Sequence, residues 1–392
     1  MQRFDPSTIA SSEAQSPVAV AAQDHLDSHW NRVVRRRSFL RGVGIATAAA
    51  IPGSALWASP ASAHEGDLPD GDVAILRFLA AAEIIESDLW AQYTELGGVP
   101  SDSESPGVPS GGGNAPYVAA LKNLDSDMPQ YVTDNTDDEF SHAAFLNAYL
   151  QAHGEDEVNL DEFRTLGSSE AAGAQDIGRL TNLMELNVDT SWYTRYRSTT
   201  NPDFGAAPVQ LLTIANQPAI PRDDHDAADA KRIQAIANTA AFHFAMIEQG
   251  GSSLYLTLLQ QVTSVEVLRI VASIGGVEVD HFSLWHDKVS NVLAPPVAPV
   301  TDPVTGLTFP DLSSSSDELT ETNLVLAEPT AFISTSLPVC SVIRPSTTAN
   351  SGAVAAVNAL TADNLFDGQS SKFFHAAMEL AQQADAAVRG MG

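Results

Sequence analysis

Two stretches, Glu139-Phe140-Ser141-His142 and Glu278-Val279-Asp280-His281, repeat one four-residue pattern, and their reading decides the fold. Residues three apart on a helix share one face, so each glutamate and its histidine reach the same point beside the rod. A glutamate stands on a helix-like segment upstream of each copy: Glu83 or Glu86 before the first, Glu248 before the second. The chain holds 19 Glu and 10 His in 392 residues, for which random placement gives roughly 0.5 such pairs. One pair would therefore mean little. Two pairs, each in an apolar helical pattern with a partner glutamate, mean more. The order Glu, Glu-x-x-His, Glu, Glu-x-x-His is what a four-helix bundle needs to hold two metal ions between carboxylates and imidazoles.

Apolar periodicity around these residues predicts four long helices. The first runs from Asp72 to Leu96, with Leu76, Leu79, Glu83, Glu86, Trp90 and Tyr93 facing inward. Both glutamates thus lie on a face otherwise built for burial, and buried carboxylates need compensation. The second spans Asp134 to His153, capped by Asp134 or Thr136, with Glu139, His142, Leu146 and Tyr149 inward. The third covers Ala227 to Val262 and carries Phe244, Glu248, Gly251 and Tyr255 on its stripe, with Gly250-Gly251 admitting a close neighbour. The fourth, Ser264 to Val292, points Val267, Val271, Ile274, Glu278, His281 and Trp285 inward. His243 is expected to pack beside the site, and Asp138 and Asp280 to orient its residues. The fold class is therefore all-α: a four-helix bundle over residues 64–293, with insertions at 97–133 and 154–226.

The Gly/Pro/Ser-rich run 97–113 reads as a loop, followed by a short helix at Tyr117–Leu124. The crossover 154–226 is long, with one helix expected over Ser168–Asn187 and an aromatic patch at Trp192-Tyr193-Thr194-Arg195-Tyr196. From 294 to 392 the chain becomes a loop-rich extension, with a β-like piece at Ala331–Ser334. Two closing helices are expected, near Ala353–Ala362 and Ser370–Arg389.

Residues 1–63 read as a twin-arginine export signal. Arg35-Arg36-Arg37-Ser38-Phe39-Leu40-Arg41 precedes an apolar, small-residue stretch, and Ala61-Ser62-Ala63 fits a cleavage site. A periplasmic or extracellular destination follows. Beyond that segment 14 basic residues face 45 acidic ones, a balance that repels nucleic acid and anionic membranes and attracts cations. No apolar run of membrane-spanning length remains. Cys340 is the only cysteine, so thiolate metal clusters are excluded; a buried, inert thiol is expected there. Any metal must rest on oxygen and nitrogen, which suits iron and manganese better than zinc.

At these residues the chain resembles the ferritin-like superfamily, and more narrowly the exported ferritin-like proteins that include desiccation-related proteins. The run Leu79-Ala80-Ala81-Ala82-Glu83-Ile84-Ile85-Glu86-Ser87-Asp88-Leu89-Trp90 is similar to that group's opening helix. The resemblance implies two iron or manganese ions held by Glu139, His142, Glu248, Glu278 and His281, with Glu83 as the first-helix ligand. Internal symmetry argues instead for Glu86, since Tyr93 follows it by seven residues as Tyr255 follows Glu248; the choice stays open. The expected partners are metal ions and O2 or peroxide, with a homodimer left open. Three functions are weighed. One is metal handling or peroxide- or O2-consuming redox work in oxidative or desiccation stress. Another is a non-catalytic protective bundle with a vestigial site. The third is a binding module whose tail and aromatic crossover patch dock a partner.

Overall fold

Four long helices carry the fold: α1 (Asp70–Gly97), α3 (Met128–Ala152), α4 (Ala230–Leu258) and α5 (Val265–Val292), with the shorter α2 (Ala115–Leu124) between the first two. The computed structural model describes residues 68–100, 105–195, 210–315, 327–330, 332–343 and 346–390. The segment read as an export signal, 1–63, lies outside them, as do Tyr196 of the aromatic patch and Ala331.

Helix ends follow local chemistry. Asp70 and Asp72 occupy the first turn of α1, where carboxylates meet the positive end of the helix dipole. Asn114 caps α2, Asp229 caps α4 and Ser264 caps α5, each accepting from backbone N–H groups of the first turn. The second long helix begins at Met128, earlier than expected, because Pro129 fits a first turn. Thr136, expected as a cap, is interior: its hydroxyl lies 2.6 Å from that of Thr94 and donates to the Trp90 carbonyl. Gly154, at φ +80°, ends α3 in the left-handed conformation that closes a helix at least cost.

Two antiparallel pairs, α1 with α3 and α4 with α5, make the bundle. Tyr93 of α1 reaches His243 of α4 at 2.7 Å, and Trp285 of α5 donates to Asn135 of α3 at 2.8 Å. Glu83 meets Tyr255 while Tyr93 meets His243, so α1 runs antiparallel to α4 as it does to α3, and α3 and α4 are parallel. A stack of Trp90, Phe244 and Trp285, with ring centroids 4.7–5.5 Å apart, fills the centre. Helix α4 is buried on nearly all sides. Its polar residues are accordingly bonded: Gln234 donates to the Ala120 carbonyl and Asn238 to that of Val297.

The crossover departs from expectation. No helix forms over 168–187; this stretch is turns and extended chain leading into β1 (Leu186–Val188), which pairs antiparallel with β2 (Ile214–Gln217). Asp88 of α1 explains the difference. Its carboxylate accepts from the N–H groups of Leu180 and Thr181 (both 3.0 Å), from the Thr181 hydroxyl (2.7 Å) and from Arg164 (2.7 Å). Arg179 is buried against Glu95 at 2.6 Å. Amides donated to α1 are lost to a local helix, and Gly178 is packed so closely on the Arg164 carbonyl that a side chain would collide with it.

After α5 the hairpins β3–β4 (Val300–Thr301, Thr308–Phe309) and β5–β6 (Ala327–Glu328, Cys340–Ser341) precede α6 (Ala353–Ala362) and α7 (Ser371–Asp385). The expected strand at 331–334 falls instead at β5, and 332–333 form a turn. Helix α7 lies on α1, and α6 touches α4. Asp385 caps α6 by accepting from the Ala353 and Val354 N–H groups. Buried Arg232 of α4 pairs with Asp226 at 2.8 Å and with Asp302 of the tail. Cys340, expected to be buried, is exposed: its two-stranded hairpin has no layer packed over it among the described residues. No helix of the described residues is long and apolar enough to cross a membrane.

Candidate metal centre

Each bundle helix brings its acidic residue to one depth. Glu83 comes from α1, Glu139 and His142 from α3, Glu248 from α4, and Glu278 and His281 from α5. Two quartets result: Glu83, Glu139, His142 and Glu278; and Glu139, Glu248, Glu278 and His281. Within each, one candidate ligand atom per residue lies within 4.8 Å of all the others. Glu139 and Glu278 belong to both, so the quartets share an edge. The glutamates are at most 1% exposed, while His142 and His281 are 8% and 7% exposed; the imidazoles form the side nearer solvent.

The distances are those of groups turned to common points. His142 Nδ1 lies 3.1 Å from Glu139, 3.4 Å from Glu83 and 3.7 Å from Glu278. His281 Nδ1 lies 3.1 Å from Glu139 and 3.2 Å from Glu248, and its Nε2 meets Asp138 at 3.0 Å. That outer carboxylate fixes the ring and leaves Nδ1 for the centre. Asp280, also expected to orient neighbours, points away and is exposed.

Glu86 stands apart. It belongs to neither quartet; it lines a cavity on the outer side of α1, and one of its oxygens has no hydrogen-bond partner. The α1 residue within ligand reach is Glu83. The two tyrosines of the symmetry argument are not equivalent: Tyr93 bonds His243, whereas Tyr255 bonds Glu83. His243 is fully buried, and burial pushes its imidazole down to about 3, so it is a neutral hydrogen-bond partner of the Tyr93 hydroxyl.

Asn135 went unread in the sequence. Its amide donates to Glu139 at 2.8 Å and Glu248 at 3.0 Å, and its carbonyl accepts from Trp285. A polar residue one turn before Glu139, on the same stripe, was the available signal.

The electrostatics record a crowded acidic centre that retains protons. Burial pushes Glu83 up to about 7, against the pull of His142. Burial and the neighbouring carboxylates raise Glu278 well above the carboxylate range, and burial raises Glu248 despite His281. Glu139 is also buried, but hydrogen bonds from both histidines outweigh that and hold it low. His142 is lifted to about 10: burial opposes its charge, but Glu83 and Glu139 prevail. Neither oxygen of Glu278 has a hydrogen-bond partner, nor does Oε2 of Glu83. Buried orphan carboxylate oxygens are costly. The donor set fits two divalent cations: four carboxylates balance their charge, and each quartet supplies oxygens and one imidazole nitrogen.

A family model described as ferritin-like domain matches residues 71–291. That is more than half of the chain, and it spans all four bundle helices and every residue of the two quartets; the chain belongs to the ferritin-like domain family. Comparisons with curated proteins and with solved structures give no match.

Proposed function

We propose that this chain is an exported ferritin-like protein of the desiccation-related kind. On this reading its two quartets hold a pair of iron or manganese ions that react with peroxide or O2 under oxidative or drying stress. The observation that carries the reading is Glu278, a buried member of both quartets with neither oxygen hydrogen-bonded. A vestigial site would be expected to fill such a position with an apolar residue or to donate hydrogen bonds to it.

Glu83, Glu139, His142, Glu248, Glu278 and His281 would hold the ions, with Glu139 and Glu278 common to both quartets and the two histidines presenting Nδ1. When bound, such ions supply a redox couple that exchanges electrons with O2 or peroxide. The protein's own part is positional and protic. Asn135 holds Glu139 and Glu248 in place. Asp138 sets the His281 ring. The Tyr255 hydroxyl, donating to Glu83, keeps a proton beside the centre. The acidic chain attracts cations to the molecule, and the twin-arginine reading of 1–63 supports delivery of a folded, loaded protein.

The test is peroxide consumption by protein loaded with manganese or iron, followed with an electrode. Loaded wild type is expected to turn over peroxide; metal-free protein and Glu278→Ala are not. A chain that binds two ions yet consumes neither peroxide nor O2 would sink the catalytic reading and leave the protective bundle.

A further inference from the structure

A second feature of the bundle lies on the face away from the histidines. The C-terminal helices α6 and α7 roof a cavity of about 130 Å³ over α1 and α4. Its walls are apolar: Phe78, Ile85 and Leu89 from α1, Ile247 and Leu254 from α4, Leu380 from α7. The space exists because small residues line it where larger ones would fill a core, among them Ala81, Ala82, Ala356 and Ala377. Protein interiors normally close such voids, at a gain in stability. Apolar cavities of about 150 Å³ stay dry and take up benzene.

The end of the cavity nearest the metal centre is different. Glu86 lines it with an oxygen that no protein group satisfies. Gly251 lines it too, and the missing side chain of Gly251 is what lets Glu278 lie directly behind. One residue thus separates the cavity from a carboxylate shared by both quartets. Asp189 and Asp363 also lie on its wall. With apolar walls and no cation lining the cavity, the charge of a carboxylate or phosphate would be buried uncompensated there, so an anionic guest is disfavoured.

We infer that this cavity binds a small uncharged ring of phenol size, packed between α1, α4 and the C-terminal helices, with its hydroxyl on Glu86. The binding claim rests on the cavity. Its further meaning, that this is the substrate side of the metal centre, rests on the function proposed above. The C-terminal extension thereby gains a role as the roof of a ligand chamber.

Phenol is the probe. Titration calorimetry and thermal unfolding of the full chain should show saturable phenol binding that raises the unfolding temperature, with benzoate giving neither effect. Ala81→Leu on α1 and Ala356→Leu on α6 fill the space from opposite sides. Whichever of them keeps the wild-type circular dichroism should bind phenol at least ~10-fold more weakly. Glu86→Leu should erase the preference for phenol over benzene, and Glu86→Gln should retain it. Non-saturable phenol binding, equal binding of benzoate, or filled variants that bind like wild type would overturn the inference; the phenol–benzoate comparison needs no variant. Metal content is measured on the same samples. Two ions with no phenol binding would overturn this inference alone. Phenol binding by a chain that takes no metal would support the site and remove only its meaning as the substrate side.

Discussion

Glu278 and Glu139 differ from the other site residues in belonging to both quartets. Glu139→Ala or Glu278→Ala is therefore expected to lose both metal ions, whereas Glu83→Ala or Glu248→Ala should lose one first; metal titration of each purified variant distinguishes the patterns. Gly251→Ala probes the same carboxylate from behind. Its new methyl would collide with Glu278, so metal affinity should fall by ~10–100-fold, read by competition with a chelator, while the helical circular dichroism persists. At this scale much was legible in the sequence. The two Glu-x-x-His pairs and Glu248 name their own face through spacing alone. Glu83 against Glu86 was not legible, because residues three apart share a helix face and only the partner across the bundle, Tyr255, separates them. Asn135 was hidden for another reason: an asparagine on a helix stripe carries no sign of what it will bond.

Asp72 shows how one helix fixes another. From the first turn of α1 its carboxylate accepts from the N–H groups of Thr263 and Ser264 at 2.8 and 2.7 Å, so α1 holds the start of α5. Asp72→Ala should destabilise the fold by about 1–3 kcal/mol through two unsatisfied amides, and Ser264→Ala by about 1 kcal/mol through the lost cap; urea unfolding of each variant measures both. The helices themselves were readable because period, cap and breaker agree: Ser264 begins α5, Ser370 begins α7, and Gly154 ends α3. The segment 168–187 was not, because its conformation is set by Asp88 and Glu95 on α1, about 90 residues earlier in the chain. Local propensity contains nothing of such partners.

Across the whole molecule, the buried acidic centre ties stability to protons and metal. Glu83 is raised to about 7 and His142 to about 10, so the folded, metal-free chain holds protons that the unfolded chain releases. Its stability should therefore fall as pH rises from about 6 to about 9. Glu139, held low, gives the opposite slope only in acid, where an unfolded carboxylate titrates. Bound cations take the place of those protons, so loaded protein should gain stability over the same window. Urea midpoints at both ends of the window, with and without metal, check the two signs; a metal-free midpoint that rises with pH would contradict them. Bundle and crossover were foreseeable at this scale from the order of acidic residues. The tail's work as a roof was not, since its alanines signal helix and say nothing of the space they leave. The most direct test of the central claim is elemental analysis of protein purified after native export. Two equivalents of iron or manganese per chain are expected, and a chain that takes up neither ion, even when each is supplied in excess at neutral pH, would contradict the metal centre.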